Sequence, residues 1–151
     1  MKSPTFAFIL AFIGAILSDQ VLKQMILAGL RYEGPVISIV LAYNEGVAFS
    51  MLHFLGPYLK YIQIILIGSL GLFLWRQKEL FNLNALPFGL ILGAGSSNLL
   101  DRFIHGHVID YVYWHYQFDF AIFNLADVLI DVGVGLIILK HFKIKNKQKG
   151  V

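Results

Sequence analysis

The sequence predicts an all-α integral membrane protein with four transmembrane helices and a small strand-rich extracytoplasmic cradle at about residues 29–57. Of the 151 residues, 58% are hydrophobic and only 14% are charged, and the mean hydropathy is +0.71. A soluble domain of this length needs a more polar surface. The apolar residues also fall into four separate segments, each near the ~20 residues that a helix needs to cross the hydrocarbon core.

The four apolar segments are residues 4–27, 58–75, 85–100 and 121–139. The first lacks a small-x-small cleavage site and stays apolar beyond Asp19, so we interpret it as a retained span rather than a signal peptide. The third is the least apolar, and its Gly93 and Gly95 are interpreted as close-packing residues between helices. Because no linker or internal repeat divides the sequence, the whole chain is expected to form a single polytopic membrane domain.

The distribution of basic residues predicts the orientation in the membrane. With four spans, the N-terminus, the turn at 76–84 and the tail at 140–151 share one side, which carries eight of the twelve Lys and Arg residues. Basic loops stay in the cytoplasm, so both termini are predicted to be cytoplasmic. We interpret the basic tail as a topology anchor that touches anionic lipid. The net charge of +3 is too small and scattered to indicate nucleic acid, and the absence of cysteine excludes thiolate chemistry.

The two outer connections differ from ordinary loops. Residues 35–43, PVISIVLAY, are rich in β-branched residues and predict a strand. The connection at 103–120 is dense in aromatic residues, which is typical of the membrane–water interface. These aromatic residues include Tyr111, Tyr113, Trp114, Tyr116, Phe118 and Phe120.

Polar side chains from separate parts of the chain are predicted to meet at one level near the outer surface. Asp19 lies 15 residues past Pro4, about 22 Å along an outward-running helix at roughly 1.5 Å per residue. The other members are Asn98, Asp101 and Arg102 at the outer end of the third span, Asn124 and Asp127 in the first turns of the fourth, and Asn44 before the second. Charged groups at membrane depth are costly unless they face a cavity or each other. Their convergence therefore indicates a polar site.

The spacing of these residues and their types indicate the chemistry of that site. Asn124 with Asp127, and Asn98 with Asp101 and Arg102, share helix faces at separations of three or four residues. Arg102 is expected to keep the neighbouring carboxylate ionised, and Asp110 in the outer connection is expected to fold back over the site. Two carboxylates without a cysteine, a serine-nucleophile motif or a metal-ligand set suggest acid–base chemistry. One ionised carboxyl would draw a proton from water and a protonated one would donate.

Each of these residues also has a less functional interpretation. A single aspartate near the interface more often makes structural hydrogen bonds, and we expect such a role for Asp131, one turn deeper than Asp127. His105, His107 and His115 could bind zinc, but no acidic helix motif accompanies them, so loop histidines are favoured. Two other classes of protein stay open. A transporter needs polar residues along a whole path through the membrane, and a non-catalytic assembly factor would bind lipid through the aromatic loop.

Five short motifs carry a resemblance to a known family. They are DQVLK at 19–23, NEGVAFS at 44–50, GAGSSNLLDR at 93–102, VIDY at 108–111 and FNLAD at 123–127. The five motifs occur in the order typical of the lipoprotein signal peptidases, also called signal peptidase II, and the chain resembles this family along nearly its whole length. The resemblance implies an aspartic endopeptidase of the bacterial cytoplasmic membrane that needs no cofactor or metal. Such an enzyme removes signal peptides from diacylglyceryl-modified prolipoproteins, cleaves just before the lipidated cysteine, and is inhibited by the cyclic peptide globomycin.

The resemblance also implies roles for individual residues. The family's catalytic pair maps onto Asp110 and Asp127. The positions that shape and polarise the site are Asp19, Asn44, Asn98, Asp101, Arg102, Asn124 and Ala126. Three positions depart from the family pattern. Leu22 and Val128 each stand where the family usually has Ser or Thr, and Ser97 stands where it usually has Gly. The expected partners are prolipoprotein substrates, membrane lipid and globomycin-type inhibitors, and the protein is expected to act as a monomer.

Overall fold

The computed structural model describes residues 3–46 and 53–148 and is mostly helical. Within these residues the helices are α1 (Pro4–Leu27), α2 (Gly56–Arg76), α3 (Lys78–Ile104) and α4 (Leu125–Gln148), and the strands are β1 (Ile37–Asn44) and β2 (Val108–Trp114). A short 3₁₀ helix at His53–Leu55 precedes α2. Parts of the predicted cradle (47–52) and of the basic ends (1–2 and 149–151) lie outside the described residues.

Among the described helices α1, α2 and α3 are long and apolar enough to cross a membrane. α4 has 24 residues, but it carries Asp127 and Asp131 in its first turns and a lysine-rich C-terminal part that begins at Lys140. Only eight residues, 132–139, separate the last acidic from the first basic side chain of this helix. Length and composition therefore support three of the four predicted spans, and the fourth stays a prediction.

α1 covers the same residues as the predicted first segment. Pro4 stands at the start of the helix, where its missing N–H costs nothing, and the Ser3 hydroxyl accepts a hydrogen bond from the Phe6 N–H at 3.1 Å. The start of the helix is thus encoded locally by two adjacent residues.

α3 is longer than the predicted segment at 85–100, because it also includes most of the turn predicted at 76–84. Its backbone bends at Asn84, which has non-helical angles (φ −125°, ψ 26°). Pro87 lies three residues later, and a proline inside a helix removes one hydrogen bond and clashes with the preceding turn. The bend thus separates a short first helical part from the long second part, which carries Asn98, Asp101 and Arg102.

α1 and α3 run parallel and pack closely through small residues. A Cβ atom on Gly89 would lie 2.6 Å from the carbonyl oxygen of Phe8, and a Cβ atom on Gly93 would clash with the backbone of Phe12. The close-packing interpretation of Gly93 is therefore confirmed. Because both helices run in the same direction, their C-terminal halves, with the polar residues, lie side by side.

β1 and β2 form a two-stranded antiparallel sheet beyond the ends of α1 and α3. Its register pairs Ile37 with Trp114 and Asn44 with Val108, with an irregularity between Ile39 and Ala42. β1 confirms the predicted strand, whereas β2 lies in the aromatic connection at 103–120, where no strand is predicted. The sheet brings the end of β1 beside the start of β2 and so positions two polar residues of the site.

Candidate active site

Asp110 is a buried residue of β2 held between two amide donors. Its carboxylate oxygens accept hydrogen bonds from Asn44 Nδ2 at 2.9 Å and from Asn124 Nδ2 at 2.7 Å. Burial raises the pKa of the Asp110 carboxyl to about 6, and the negative charge of Asp127 adds to the rise. The two amide bonds favour the ionised form and limit this rise. The carboxyl can therefore hold or release a proton close to neutral pH.

Asp127 lies in the first turn of α4 and takes part in capping that helix. Asn124 Oδ1 accepts from the Asp127 N–H at 2.9 Å, and Asp127 Oδ2 accepts from the Asn124 N–H at 3.1 Å. This reciprocal pair has the geometry of a capping box, with Asn and Asp in place of Ser and Glu. The other carboxylate oxygen, Oδ1, accepts from Asn98 Nδ2 at 3.0 Å. The carboxylate is thus oriented by backbone and side-chain donors together.

The N–H groups of the first two residues of α4 donate hydrogen bonds to side chains of β2 and α1. The Leu125 N–H donates to the Tyr111 hydroxyl of β2 at 3.0 Å, and the Ala126 N–H donates to Asp19 Oδ1 of α1 at 3.0 Å. A helix start leaves several N–H groups without partners in the helix itself, and burying them unpaired is costly. Ala126 is also fully buried, so a larger side chain has no room there. These contacts fix the start of α4 against α1 and β2.

Lys23 is the centre of a buried ionic cluster. Its ammonium lies 2.7 Å from Asp19 Oδ2 and 2.7 Å from Asp101 Oδ2, and it donates to Asn98 Oδ1 at 2.7 Å. The side chains of the lysine and of both aspartates have at most 1% exposure. A lysine buried this deeply is stable only when paired, and three acceptors match its three N–H donors.

Asn98 connects the ionic cluster to Asp127. Its Oδ1 accepts from Lys23 and also from Asn124 Nδ2 at 3.1 Å, and this leaves its Nδ2 to donate to Asp127. Because an oxygen cannot donate, the lysine determines which end of the amide faces the carboxylate. Lys23 therefore orients Asp127 through one intervening side chain.

Arg102 has a different role from the one that its sequence position suggested. We expected it to balance the charge of Asp101, but the cation that contacts Asp101 is Lys23. Arg102 instead donates to Gln63 Oε1 at 2.9 Å and to the Gly46 carbonyl oxygen at 2.7 Å. Adjacent residues of a helix do not face each other, which explains the difference. Arg102 thus joins α3 to α2 and to the chain after β1.

Asp110 and Asp127 line one cavity of about 700 Å³. Its wall is mostly apolar, and it extends from the two aspartates between α2 and α4 to Asp131 and Leu66. We call this cavity the α2–α4 groove. Its lining comes from β1, α2, α3, β2, the connection before α4 and α4 itself: Asn44, Leu59, Ile62, Gln63, Leu66, Asn98, Arg102, Val108, Asp110, residues 120–123, Asp127, Val128 and residues 130–132. The groove can hold an extended, apolar ligand with one end at the carboxylates.

The structure brings the residues singled out in the sequence into one neighbourhood. Seven of the nine, all but Arg102 and Ala126, are joined directly by side-chain hydrogen bonds or ion pairs among themselves and with Lys23: Asp19, Asn44, Asn98, Asp101, Asp110, Asn124 and Asp127. Ala126 joins through its backbone N–H, and Arg102 contributes from the wall of the groove. Their individual roles stay predictions.

Three further residues of this network were missed in the sequence. They are Lys23, Ser97, whose hydroxyl donates to Asp19 Oδ2 at 2.6 Å, and Gln20, whose Nε2 donates to Asp101 Oδ1 at 2.8 Å. A signal for the lysine was present, because it stands four residues after Asp19 on the same helix face. Ser97 is also one of the departures from the family pattern, and its hydroxyl is accommodated by this hydrogen bond.

The three outer histidines do not converge. His115 shares a 2.9 Å hydrogen bond with the Ser38 hydroxyl, and His107 packs against the Tyr43 ring at 4.1 Å between centroids. The rings of His105 and His107 are 6.2 Å apart. Across residues 3–46 and 53–148, no group of three or more His, Asp or Glu side chains is arranged to hold a metal ion. The alternative zinc site therefore finds no geometric support.

Fold and site together define a class: an α-helical membrane protein with two carboxylates at one cavity. Comparison with protein families gives a more specific result, since the family described as Signal peptidase (SPase) II matches residues 11–143. The match covers most of the sequence and all the residues of the network. The chain therefore belongs to the signal peptidase II family.

Individual relatives agree with this assignment. A Helicobacter pylori (strain P12) protein named lipoprotein signal peptidase is 56% identical over 155 residues, covering 100% of this chain and 99% of the relative. A protein of the same name from Wolinella succinogenes is 50% identical, and the alignment covers 94% of this chain and 97% of that relative. A solved structure described as a bacterial membrane enzyme has a TM-score of 0.76 at 27% identity, covering 90% of this chain and 92% of that one.

Proposed function

We propose that this protein is an aspartic endopeptidase that removes signal peptides from diacylglyceryl-modified prolipoproteins and cleaves just before the lipidated cysteine. Family membership and the names of the relatives support the substrate class. The observation that carries the aspartic mechanism is that Asp110 and Asp127 line the same cavity, each held by amide donors.

In the proposed mechanism the two aspartates share one proton. The ionised carboxylate takes a proton from a water molecule, and the resulting hydroxyl attacks the carbonyl carbon of the scissile bond. The protonated carboxyl gives its proton to the carbonyl oxygen, and a tetrahedral diol forms. The carboxyl that took a proton from water then protonates the leaving amide nitrogen as the C–N bond breaks, and one diol hydroxyl returns its proton to the other carboxylate. Burial is the main cause of the raised pKa of Asp110, and the negative charge of Asp127 adds to it. A carboxyl with a raised pKa beside a second carboxylate supports a shared proton.

We further propose that α4 is the fourth span, that both termini are cytoplasmic, and that the site lies near the outer face of the cytoplasmic membrane. The eight-to-four division of basic residues supports this orientation. The parallel packing of α1 with α3 also supports it, because first and third spans cross in the same direction. Fusing reporters after the C-terminus tests the topology. Activity in this fusion of a reporter that works only outside the cytoplasm would contradict a cytoplasmic C-terminus.

The α2–α4 groove supports a lateral path for the substrate. Signal segments are themselves membrane-embedded, and the groove is lined mainly by apolar residues of α2 and α4. A substrate helix and its diacylglyceryl chains would enter from the lipid without passing through water. The carboxylates at the outer end of the groove would then receive the scissile bond.

The direct test is cleavage by the purified protein. We expect a diacylated prolipoprotein to shift in mobility on incubation with the wild-type protein, and globomycin to block this shift. The unmodified prolipoprotein and the Asp127→Asn protein serve as controls that should show no cleavage. A wild-type protein that leaves the diacylated substrate intact, or a chelator that stops the reaction, would overturn the proposal.

A further inference from the structure

Asp131 is an acidic side chain of the α2–α4 groove that the proposed reaction does not use. It lines the groove one helical turn beyond Asp127 and is exposed. Its carboxyl makes no hydrogen bond or ion pair with any other residue in the described part of the chain. The structural role that we expected for it therefore has no contact to support it.

The opposite wall of the groove makes no hydrogen bond with Asp131 among the described residues. Gln63 is the amide on that wall, and both ends of its side chain are already engaged. Its Nε2 donates to the Gly95 carbonyl oxygen at 2.8 Å, and its Oε1 accepts from Arg102 at 2.9 Å. An acidic group at membrane depth is costly unless it meets water or a donor. Water or a ligand in the groove therefore has to supply the donor for Asp131.

The position of Asp131 fixes which part of a bound signal peptide would reach it. Four residues along a helix correspond to about 6 Å, measured inward from Asp127. The scissile peptide has to leave its helix to present its carbonyl carbon to the two carboxylates, and an extended chain advances roughly 3.3 Å per residue. Asp131 therefore lies level with about the second residue before the scissile bond.

Unwinding creates the donor that this position lacks. Once the peptide is extended, its main-chain N–H groups lose their helical partners, and an apolar groove offers them no water. The residues that flank Asp131 in the groove, such as Leu66 and Val132, carry no acceptor on their side chains. The Asp131 carboxylate is thus the acceptor best situated for an N–H in this stretch.

We propose that Asp131 is a substrate-binding residue whose carboxylate accepts a hydrogen bond from a main-chain N–H about two residues before the scissile bond. The inference rests on the proposed function. It assigns Asp131 to holding the unwound signal peptide, while Asp110 and Asp127 carry out the chemistry. A contact that exists throughout binding and reaction strengthens substrate binding more than turnover.

The enzyme-side test compares Asp131→Leu with Asp131→Asn in steady-state cleavage of a diacylated prolipoprotein. Leucine removes the acceptor, so KM should rise about tenfold while kcat changes less than about threefold, as the loss of a hydrogen bond to a charged group predicts. Asparagine keeps a neutral acceptor oxygen and should raise KM less than leucine does. Ile65→Ala, on a face of α2 outside the groove, is the control and should leave both constants unchanged.

The substrate-side test removes the donor instead. A substrate with an N-methylated amide at the second residue before the scissile bond should lose about tenfold in kcat/KM with the wild-type protein and less than about twofold with Asp131→Leu. Methylation at the third residue tests the register. Equal losses with both proteins at both positions, or an unchanged KM for Asp131→Leu, would overturn the inference. Failure of the inference about Asp131 leaves the proposed function standing if the wild-type protein cleaves the substrate and Asp127→Asn does not. A wild-type protein without cleavage activity overturns both the inference and the proposed function.

Discussion

Replacing Lys23 by methionine tests what holds the site together. Methionine preserves the length and apolar stem of the side chain but removes the ammonium that contacts Asp19, Asp101 and Asn98 at 2.7 Å each. Removing one partner of a buried ion pair costs about 3–5 kcal/mol, because the other charge stays buried without compensation. Lys23 serves two carboxylates, so the upper end of this range, about 5 kcal/mol, applies.

The remaining donors set a limit on this loss. Asp19 keeps its bonds from the Ser97 hydroxyl and the Ala126 N–H, and Asp101 keeps those from the Ile109 N–H and the Gln20 amide. The carboxylates are therefore not left entirely bare. A loss of about 5 kcal/mol is still a large part of the roughly 5–15 kcal/mol that stabilises a typical protein.

The measurement is thermal unfolding of the purified protein in a fixed detergent. At about 2–4 °C per kcal/mol for a chain of this size, Lys23→Met should lower the Tm by roughly 10–20 °C. Lys60→Met is the matched control, since the Lys60 ammonium lies over the rings of Tyr61 and Phe103 and forms no ion pair among the described residues. It should lower the free energy of unfolding by only about 0.5–1 kcal/mol.

Two results would refute the reasoning about Lys23. One is a Lys23→Met protein as stable as the control variant, which would mean that the ionic cluster contributes little. The second variant, Asp101→Asn, removes one of the two charges that Lys23→Met leaves uncompensated, so adding it should restore part of the lost stability. A double variant that is no more stable than Lys23→Met alone would be the other refuting result. At temperatures where Lys23→Met is still folded, its turnover should also fall several-fold, because Asn98 loses one of the two donors that fix its orientation.

The other predictions concern the site directly. Asp110→Asn and Asp127→Asn should each abolish cleavage without lowering the Tm by more than a few degrees. The double variant should be little less active than either single variant. Cleavage by Asp127→Asn at a rate comparable to the wild-type protein would refute the shared-proton mechanism. Activity should fall as pH rises through the alkaline limb, because the pair loses its last proton there. Asn44→Ala removes a hydrogen bond that favours ionised Asp110, so it should raise the pKa of that carboxyl above about 6 and move the limb of kcat/KM to higher pH; a shift to lower pH would contradict this cause. Arg102→Ala should cost about 1.5–3 kcal/mol for each of its two charged hydrogen bonds in thermal unfolding, while Arg76→Ala, exposed at the end of α2, should cost less than about 0.5 kcal/mol. Equal stability of these two variants would show that Arg102 does not support the fold.

The helices were readable from the sequence because their signals are local. The length of an apolar run and the Ser-Pro pair at residues 3–4 determine where α1 lies, and no distant contact is needed. β2 was missed although Val108–Trp114 is rich in β-branched and aromatic residues, which favour strands. The same aromatic residues also suit a membrane interface, and only pairing with β1 decides between the two interpretations.

The site was predictable in its location but not in its pairings. Depth along each span placed Asp19, Asn98 and Asp127 at one level, and the structure joins them in one network. Which cation neutralises Asp101 depends on the rotation of α1 against α3, which the spacing within a single helix does not contain. The sequence neighbour Arg102 was therefore assigned to Asp101, and Lys23, which belongs to another helix, was not considered.

The start of α4 has a consequence for how the enzyme is made. Its first N–H groups are satisfied by Tyr111 of β2 and Asp19 of α1, and its cap contains one of the two carboxylates proposed to carry out the reaction. α4 is also the last described helix to leave the ribosome. A nascent chain that has inserted only its earlier segments thus lacks both a completed α4 terminus and an assembled carboxylate pair. Proteolytic capacity should therefore arise only when biogenesis finishes, and half-inserted chains should be harmless to the membrane proteins around them.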